Sequence, residues 1–319
     1  MQVFDEIRGA CAWVADNADW VQIRSDRLAP YAAQLPLERT EVIEMDWEHH
    51  YRGDTAATVA YFLTLAAVNF GSGYFPRLAK RPGMSGYYTI ASRLRDRFAD
   101  EGPLTAQTLS HMDPATCARI FHQSLEQPAV QELMARFSSA LQQLGWLLRA
   151  DFGGCFVAMV AAARGSAGRL VEVLGRMPYF DDRQSYRGRK IPFYKRAQLA
   201  AADLSLAFSG GGPGAFDDLD RLTIFADNLV PHVLRMDGIL AYRPELLGLI
   251  QAEIPIPAGS PQEVEMRACA VHAVELLRAT PVARERGVTA QQLDHLLWHR
   301  GQGRHYKAVP RHRTRTIFY

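Results

Sequence analysis

Two carboxylates in apolar company are the residues of this chain best suited to chemistry. Asp227 lies in Leu222-Thr-Ile-Phe-Ala-Asp-Asn-Leu-Val-Pro-His-Val-Leu234, two residues after Phe225. Pro231 suits the first turn of a helix that runs to about Met236 and stops near Gly238. An acid just upstream of such a helix caps its amides or, where they are satisfied otherwise, faces a cleft. Asp294 lies in Leu293-Asp-His-Leu-Leu-Trp-His299, four residues before Trp298 and so on the same helical face, with His299 following. A carboxylate beside an indole can accept N–H bonds from a heterocycle whose plane packs on the aromatic surface. The plainer reading is an acid favoured by a helix N-terminus beside a partly buried Trp.

Three weaker constellations follow. Lys195 lies in Ile191-Pro-Phe-Tyr-Lys-Arg-Ala-Gln-Leu199, which leads into an apolar helix through Leu204 and Phe208. Lys195 and Asp203 are eight positions apart, about 12 Å of helical rise, so they share a face without touching. The plainer reading is a solvated Lys and an ordinary polar Asp. His49 and His50 lie in Asp46-Trp-Glu-His-His-Tyr51, but adjacent side chains point apart and no third ligand follows at a recognised spacing. No metal site is therefore expected. Asn69 and Phe70 end an apolar helix at Gly71-Ser72-Gly73, a turn where side chains can line a pocket.

The elements that must position these residues read as mostly helical. Phe4, Ile7, Cys11 and Val14 follow the helical period, as do Val59, Phe62, Leu63, Ala66 and Ala67. Asp113-Pro114 reads as a cap and first helical residue, and residues 129–149 as a long amphipathic helix. Ser260-Pro-Gln-Glu263 and Thr289-Ala-Gln-Gln292 have the capping-box form. Gly86-Tyr-Tyr-Thr-Ile90 is the one short strand candidate, and Arg176 to Ile191 and Ser209 to Gly214 read as loops. The glycines of the second loop follow a helix pattern and lack a Gly-Lys-Ser/Thr ending, so a flexible connector explains them better than a phosphate loop. No Pro/Ser-rich linker divides the chain. The reading is mainly α, a single helical domain over residues 1–319, with two lobes around a cleft as one arrangement of it.

With 48% apolar and 22% charged residues among 319, the composition excludes collagen-like and disordered classes. Cys11, Cys117, Cys155 and Cys269 form no CxxC pair and read as reduced core thiols. The N-terminus lacks the pattern of a secretory signal, and the uncharged stretch from Thr55 to Pro76 reads as a buried core helix, so the protein is expected to be cytoplasmic and off the membrane. Net charge is +2, yet Arg300 to Tyr319 holds six Lys or Arg and no acid, which leaves the rest of the chain net acidic. A nucleic-acid partner is not expected from that distribution; a small anionic ligand such as one phosphate fits it at least as well.

Taken together, seven segments resemble the queuosine salvage proteins, which are queuosine 5′-phosphate N-glycosidases. They are Ala12-Trp-Val-Ala-Asp-Asn17, Val68-Asn-Phe70, Phe193-Tyr-Lys-Arg-Ala-Gln198, Leu222-Thr-Ile-Phe-Ala-Asp227, Glu263-Val-Glu-Met-Arg-Ala268, Leu293-Asp294 with Trp298, and His312-Arg-Thr-Arg-Thr-Ile-Phe-Tyr319. The resemblance implies a helical fold similar to helical DNA glycosylases and hydrolysis of queuosine 5′-phosphate to queuine and ribose 5-phosphate, with no cofactor. It puts the catalytic carboxylate at Asp227 and matches Lys195 to the family lysine. Phe225, Asp294 and His50, with His49 as the alternative, then surround the base. The tail arginines, Arg313 among them, or Lys195 would take the 5′-phosphate. Gly71-Ser72-Gly73-Tyr74 replaces an aromatic pair common in relatives, and His299 stands where some have an acid, so the pocket wall and the recognition of queuine's amine or cyclopentenediol differ there. Two rival readings keep the same residues: a DNA glycosylase with Lys195 as Schiff-base nucleophile, and a non-catalytic binder of queuine or transfer RNA.

Overall fold

The apolar stripe Phe4, Ile7, Cys11, Val14 becomes the buried face of helix Val3–Asp16, and the same logic holds along the chain. A computed structural model describes residues 2–40 and 43–319. Among them are sixteen α-helices and two two-stranded antiparallel sheets, the mainly α architecture that the patterning predicts. They form two compact units: the described residues up to 43 with 182–195 and 220–315, and residues 44–181 with 196–219 and 316–319. No described helix is long and apolar enough to cross a membrane.

The first unit is built on helix Pro261–Arg278, which packs against helices Val3–Asp16, Val230–Met236 and Ala290–Gly301. It is buried on most of its faces, yet carries Glu263, Glu265 and Arg267, each no more than 1% exposed. A buried charge is tolerated only where partners replace its water, and each has them. Glu265 accepts from the amides of Trp20 (2.6 Å) and Val21 (3.1 Å) and from the Tyr186 hydroxyl (2.9 Å). Glu263 accepts from the Gly259 amide, so the box expected at Ser260 closes one residue early. At Thr289 the full capping box forms with Gln292.

The second unit centres on helices Thr55–Val68 and Pro128–Asp151. The former is buried on all sides from Ala57 onward, and its last carbonyls would be stranded without a donor. Arg196, 2% exposed, supplies it. Nη1 donates to the carbonyls of Ala66 (2.9 Å) and Ala67 (2.7 Å), and Nη2 to that of Tyr179. The guanidinium lies over the rings of Phe70 (4.8 Å) and Phe180 (4.5 Å), so it also fixes the turn that follows the helix. There Gly71 adopts φ +106, and the Gly71 amide donates to the Tyr319 carbonyl at 2.9 Å.

Three expectations are corrected. Gly86–Ile90 is not a strand but opens helix Gly86–Glu101, because Ser85 caps the Tyr88 amide and Ile90, Leu94 and Phe98 then bury one face. Within the segment read as a loop, Arg183–Tyr186 and Arg189–Pro192 pair as a hairpin. Its turn residues Arg187 (φ 45) and Gly188 (φ 79) take the left-handed pair that two-residue hairpins require. Cys155 is exposed rather than core, its sulfur accepting from the Ala158 amide; the other three thiols are buried and all four are free.

Replacing Arg196 with Met should lower stability by about 3 kcal/mol, the loss of charge-assisted bonds to buried carbonyls, measured by urea unfolding. A change below about 1 kcal/mol would show those carbonyls are satisfied without it.

Candidate active site

Residues 222–229 form no regular element, so their backbone groups need side-chain partners, and the two candidate carboxylates serve that need. Asp227 Oδ1 accepts from the amides of Leu229 (2.7 Å) and Val230 (3.2 Å), capping helix Val230–Met236 as one of its expected roles. Pro231 lies in that helix's first turn, and Gly238 (φ +77) follows its end. The cap occupies one oxygen only. Among the described residues Oδ2 accepts no hydrogen bond, and the side chain is half-buried.

Asp294, on helix Ala290–Gly301 and 6% exposed, accepts the Phe225 amide at 2.8 Å through Oδ1. This bond ties the helix to the segment that ends in Asp227. Burial, followed by the Asp227 charge, pushes the Asp294 carboxyl up to about 8, against the opposing pull of the Phe225 amide and Lys195. The arrangement is thus a pair of carboxylates in unlike surroundings, one half-exposed and one buried.

Lys195, 7% exposed, is the first residue of helix Lys195–Ala207 and follows Tyr194, whose φ of 48 turns the chain into it. Its amide donates to Asp182 Oδ2 at 3.2 Å. Asp182, 2% exposed, also receives both ends of the Arg267 guanidinium, at 3.0 and 2.6 Å, while Arg267 Nε donates to the Ala226 carbonyl at 3.0 Å. The same guanidinium lies over Phe193 at 4.0 Å. On the far side, the Asn228 side chain donates to the His312 carbonyl at 3.3 Å, which lays the tail along the same segment. Burial holds the Arg311 guanidinium below its ordinary value while the Asp227 charge opposes that shift; among the described residues it has no ion pair or hydrogen bond. His312 is pushed down to about 3, chiefly by burial, and is neutral.

Of the expected residues, Lys195, Phe225, Asp227 and Asp294 come together in the first unit. Trp298 is half-buried and His299 exposed on the Asp294 helix, the His299 ring 4.2 Å from that of His295. Arg313 forms a two-pronged pair with Glu253, both distances 2.9 Å, so its guanidinium is occupied. His50, His49, Asn69 and Phe70 belong to the second unit. Both His50 ring nitrogens are engaged, by the Asp46 carbonyl (2.6 Å) and the Tyr87 hydroxyl (2.8 Å), and burial lowers its pKa. His49 pairs with Asp46 at 2.8 Å and packs on Tyr88; Phe70 is buried against Phe137, and Asn69 is half-buried. No cluster of three or more metal-ligating side chains exists among the described residues.

Three residues of this constellation carried no assigned role from the sequence. Asp182 sits in an irregular stretch without periodicity. Arg267 occupies a core-facing helix position where an apolar residue is expected. Arg311 was one of several tail arginines, and what separates it from Arg313 is the Glu253 pair that occupies the latter.

The folded Asp294 carboxyl stays neutral up to about pH 8, whereas in the unfolded chain it ionises in the usual carboxylate range. Between those limits the folded state holds the extra proton, so stability falls as pH rises. Asp294→Asn keeps a neutral acceptor for the Phe225 amide. Thermal melts from pH 5 to 8 should show the wild type losing ground to the variant as pH increases; a constant difference in Tm would contradict the buried, proton-holding carboxyl.

The chain matches the family model for queuosine salvage protein over residues 49–319. It is 39% identical to a queuosine 5′-phosphate N-glycosylase/hydrolase of Sphaerobacter thermophilus, covering 96% of this chain and 95% of that protein. A protein of the same description from Dictyostelium discoideum is 30% identical over 98% of both chains, and one from Mus musculus 29% over 98% of both. On the strength of a match that spans the lysine, both carboxylates and the tail, the chain belongs to the queuosine salvage protein family.

Proposed function

We propose that the chain hydrolyses the N-glycosidic bond of queuosine 5′-phosphate, releasing queuine and ribose 5-phosphate, with Asp227 as the catalytic carboxylate. The observation that carries this reading is the division of labour within Asp227: Oδ1 is held by two amides and Oδ2 is left open. A carboxylate fixed through one oxygen presents the other without having to reorganise, the property that makes an electrostatic catalyst effective. Family membership supplies the substrate class.

In the reaction the C1′–N9 bond breaks with its electron pair leaving on the base, and positive charge develops on C1′ and the ring oxygen. Asp227 Oδ2 stabilises that charge and orients the water whose oxygen bonds C1′; one water proton is taken up by the departing base. Queuine is a 7-deazaguanine and has no N7 to receive it, so that proton goes elsewhere on the base. A neutral Asp294 offers one donor and one acceptor, the complement of O6 and N1–H on a guanine-like edge, and remains neutral up to about pH 8. Lys195 moderates the charge of the pair.

For the 5′-phosphate, Arg311 is the best supported of the tail arginines. Its guanidinium is part-buried without a partner and in the field of Asp227, whereas Arg313 is held by Glu253. A forked cation of that kind matches a phosphate oxygen pair.

Asp227→Asn retains a cap for Leu229 and Val230 through its amide oxygen and replaces Oδ2 with a donor. It should fold and bind queuine yet lose at least about 10³-fold in kcat for queuine release. Activity near that of wild type would remove Asp227 from the mechanism. Arg311→Gln should raise KM for the 5′-phosphate by about tenfold or more while leaving hydrolysis of queuosine itself nearly unchanged, the loss of one charge-assisted contact. An equal effect on both substrates would place the phosphate elsewhere.

A further inference from the structure

We propose that Arg267 and Asp182 are positioning residues for catalysis: one buried ion pair sets the backbone from which Asp227 and Lys195 both project. This rests on Asp227 being the catalytic carboxylate.

The geometry is that of a clamp with two jaws. On one side Arg267 Nε holds the carbonyl of Ala226, the residue directly before Asp227, at 3.0 Å. On the other, Nη1 and Nη2 hold Asp182 through both carboxylate oxygens, and Asp182 Oδ2 in turn accepts the Lys195 amide. The Asp182 carbonyl accepts the Phe193 amide at 2.9 Å, and the Phe193 ring is the surface on which the guanidinium lies. Residues 193–195 are thus gripped by Asp182, and residue 226 by Arg267, with no flexible link between the grips.

Stability alone does not account for this device. Arg267 is wholly buried and Asp182 nearly so, and a buried pair of this kind is often no more stabilising than apolar residues of equal volume. What an apolar pair cannot do is hold a backbone carbonyl and a helix N-terminal amide at one fixed separation. All five donors of a planar guanidinium come from one rigid group, so the angle between the two jaws is set by covalent geometry. Glu263 Oε1 stands 3.6 Å from Nη1 on the preceding turn and supports the charge from behind. A displacement of about 1 Å in a catalytic group is enough to lower a rate about a hundredfold, so a clamp that fixes Asp227 relative to the lysine in the field of the acid pair acts on kcat rather than on binding.

The test uses the full chain and queuosine 5′-phosphate, with queuine release as readout. Asp182→Asn is expected to lower kcat about 10- to 100-fold with KM changed less than about threefold and queuine affinity preserved. Arg267→Lys keeps the charge but cannot reach both jaws, and should show the same split. Glu265→Gln serves as the control for stability: Glu265 lies on the same helix and holds Trp20, Val21 and Tyr186, none of them in the clamp. It should lower Tm yet leave kcat within about twofold at temperatures well below the transition. The proposal is overturned if either clamp variant, folded by circular dichroism, keeps wild-type kcat, or if the control loses kcat in step with Tm as the clamp variants do. Should the wild type release no queuine, or Asp227→Asn retain turnover, the functional reading falls and takes the clamp with it; wild-type turnover in Asp182→Asn beside an inactive Asp227→Asn removes the clamp alone.

Discussion

A single guanidinium with no access to water constrains the first unit. Arg267 must find partners for its donors inside the core, and among them are the carboxylate of Asp182 and the carbonyl before Asp227. Removing the Asp182 carboxylate would leave the buried guanidinium with only the more distant Glu263 to balance it, which costs several kcal/mol. The irregular segment 222–229 is therefore held by side chains instead of by a regular element: its Ala226 carbonyl is bonded to Arg267 of a core helix, its Phe225 amide to Asp294, and its Asn228 side chain to the His312 carbonyl.

The two carboxylates differ through their surroundings rather than their chemistry. Asp294 is buried, accepts one amide and lies in the field of another acid, so its proton is retained into the neutral range. Asp227 is half-exposed, and one of its oxygens accepts two amides. The first unit thereby holds a buried acid that keeps its proton up to about pH 8 and, in its field, a carboxylate fixed through one oxygen; the proposed chemistry would use the first on the base and the second on the sugar.

Much of this was legible before the structure. Helix starts at Asp113, Ser260 and Thr289 follow from local hydrogen bonding, and the stripes beginning at Phe4 and Val130 follow from periodicity. Asp227 was recognisable as an acid in apolar company ahead of a helix. The hairpin at 183–192 was not, since its strands are short, charged and joined at Arg187-Gly188, a turn defined by φ rather than by Asn-Gly. Nor were the bounds of the two compact units, whose segments interleave along the chain and change hands at Asp181/Asp182 and Lys195/Arg196 without any shift in composition. The clamp was hidden for a related reason: Arg267 and Asp182 are 85 residues apart, and neither carries a local pattern. Arg313 and His50, chosen by motif, proved to be engaged with Glu253 and with Asp46 and Tyr87, partners that only tertiary structure brings into reach.

The most direct test of the account is a crystal structure of the Asp227→Asn protein with intact queuosine 5′-phosphate. The account predicts that the side-chain oxygen of residue 227 still caps Leu229 and Val230 while its other terminal atom lies about 3–3.5 Å from C1′, the contact distance for reacting groups. A substrate whose anomeric carbon lies beyond hydrogen-bond distance of residue 227, or a residue 227 with both terminal atoms turned onto backbone amides, would contradict it.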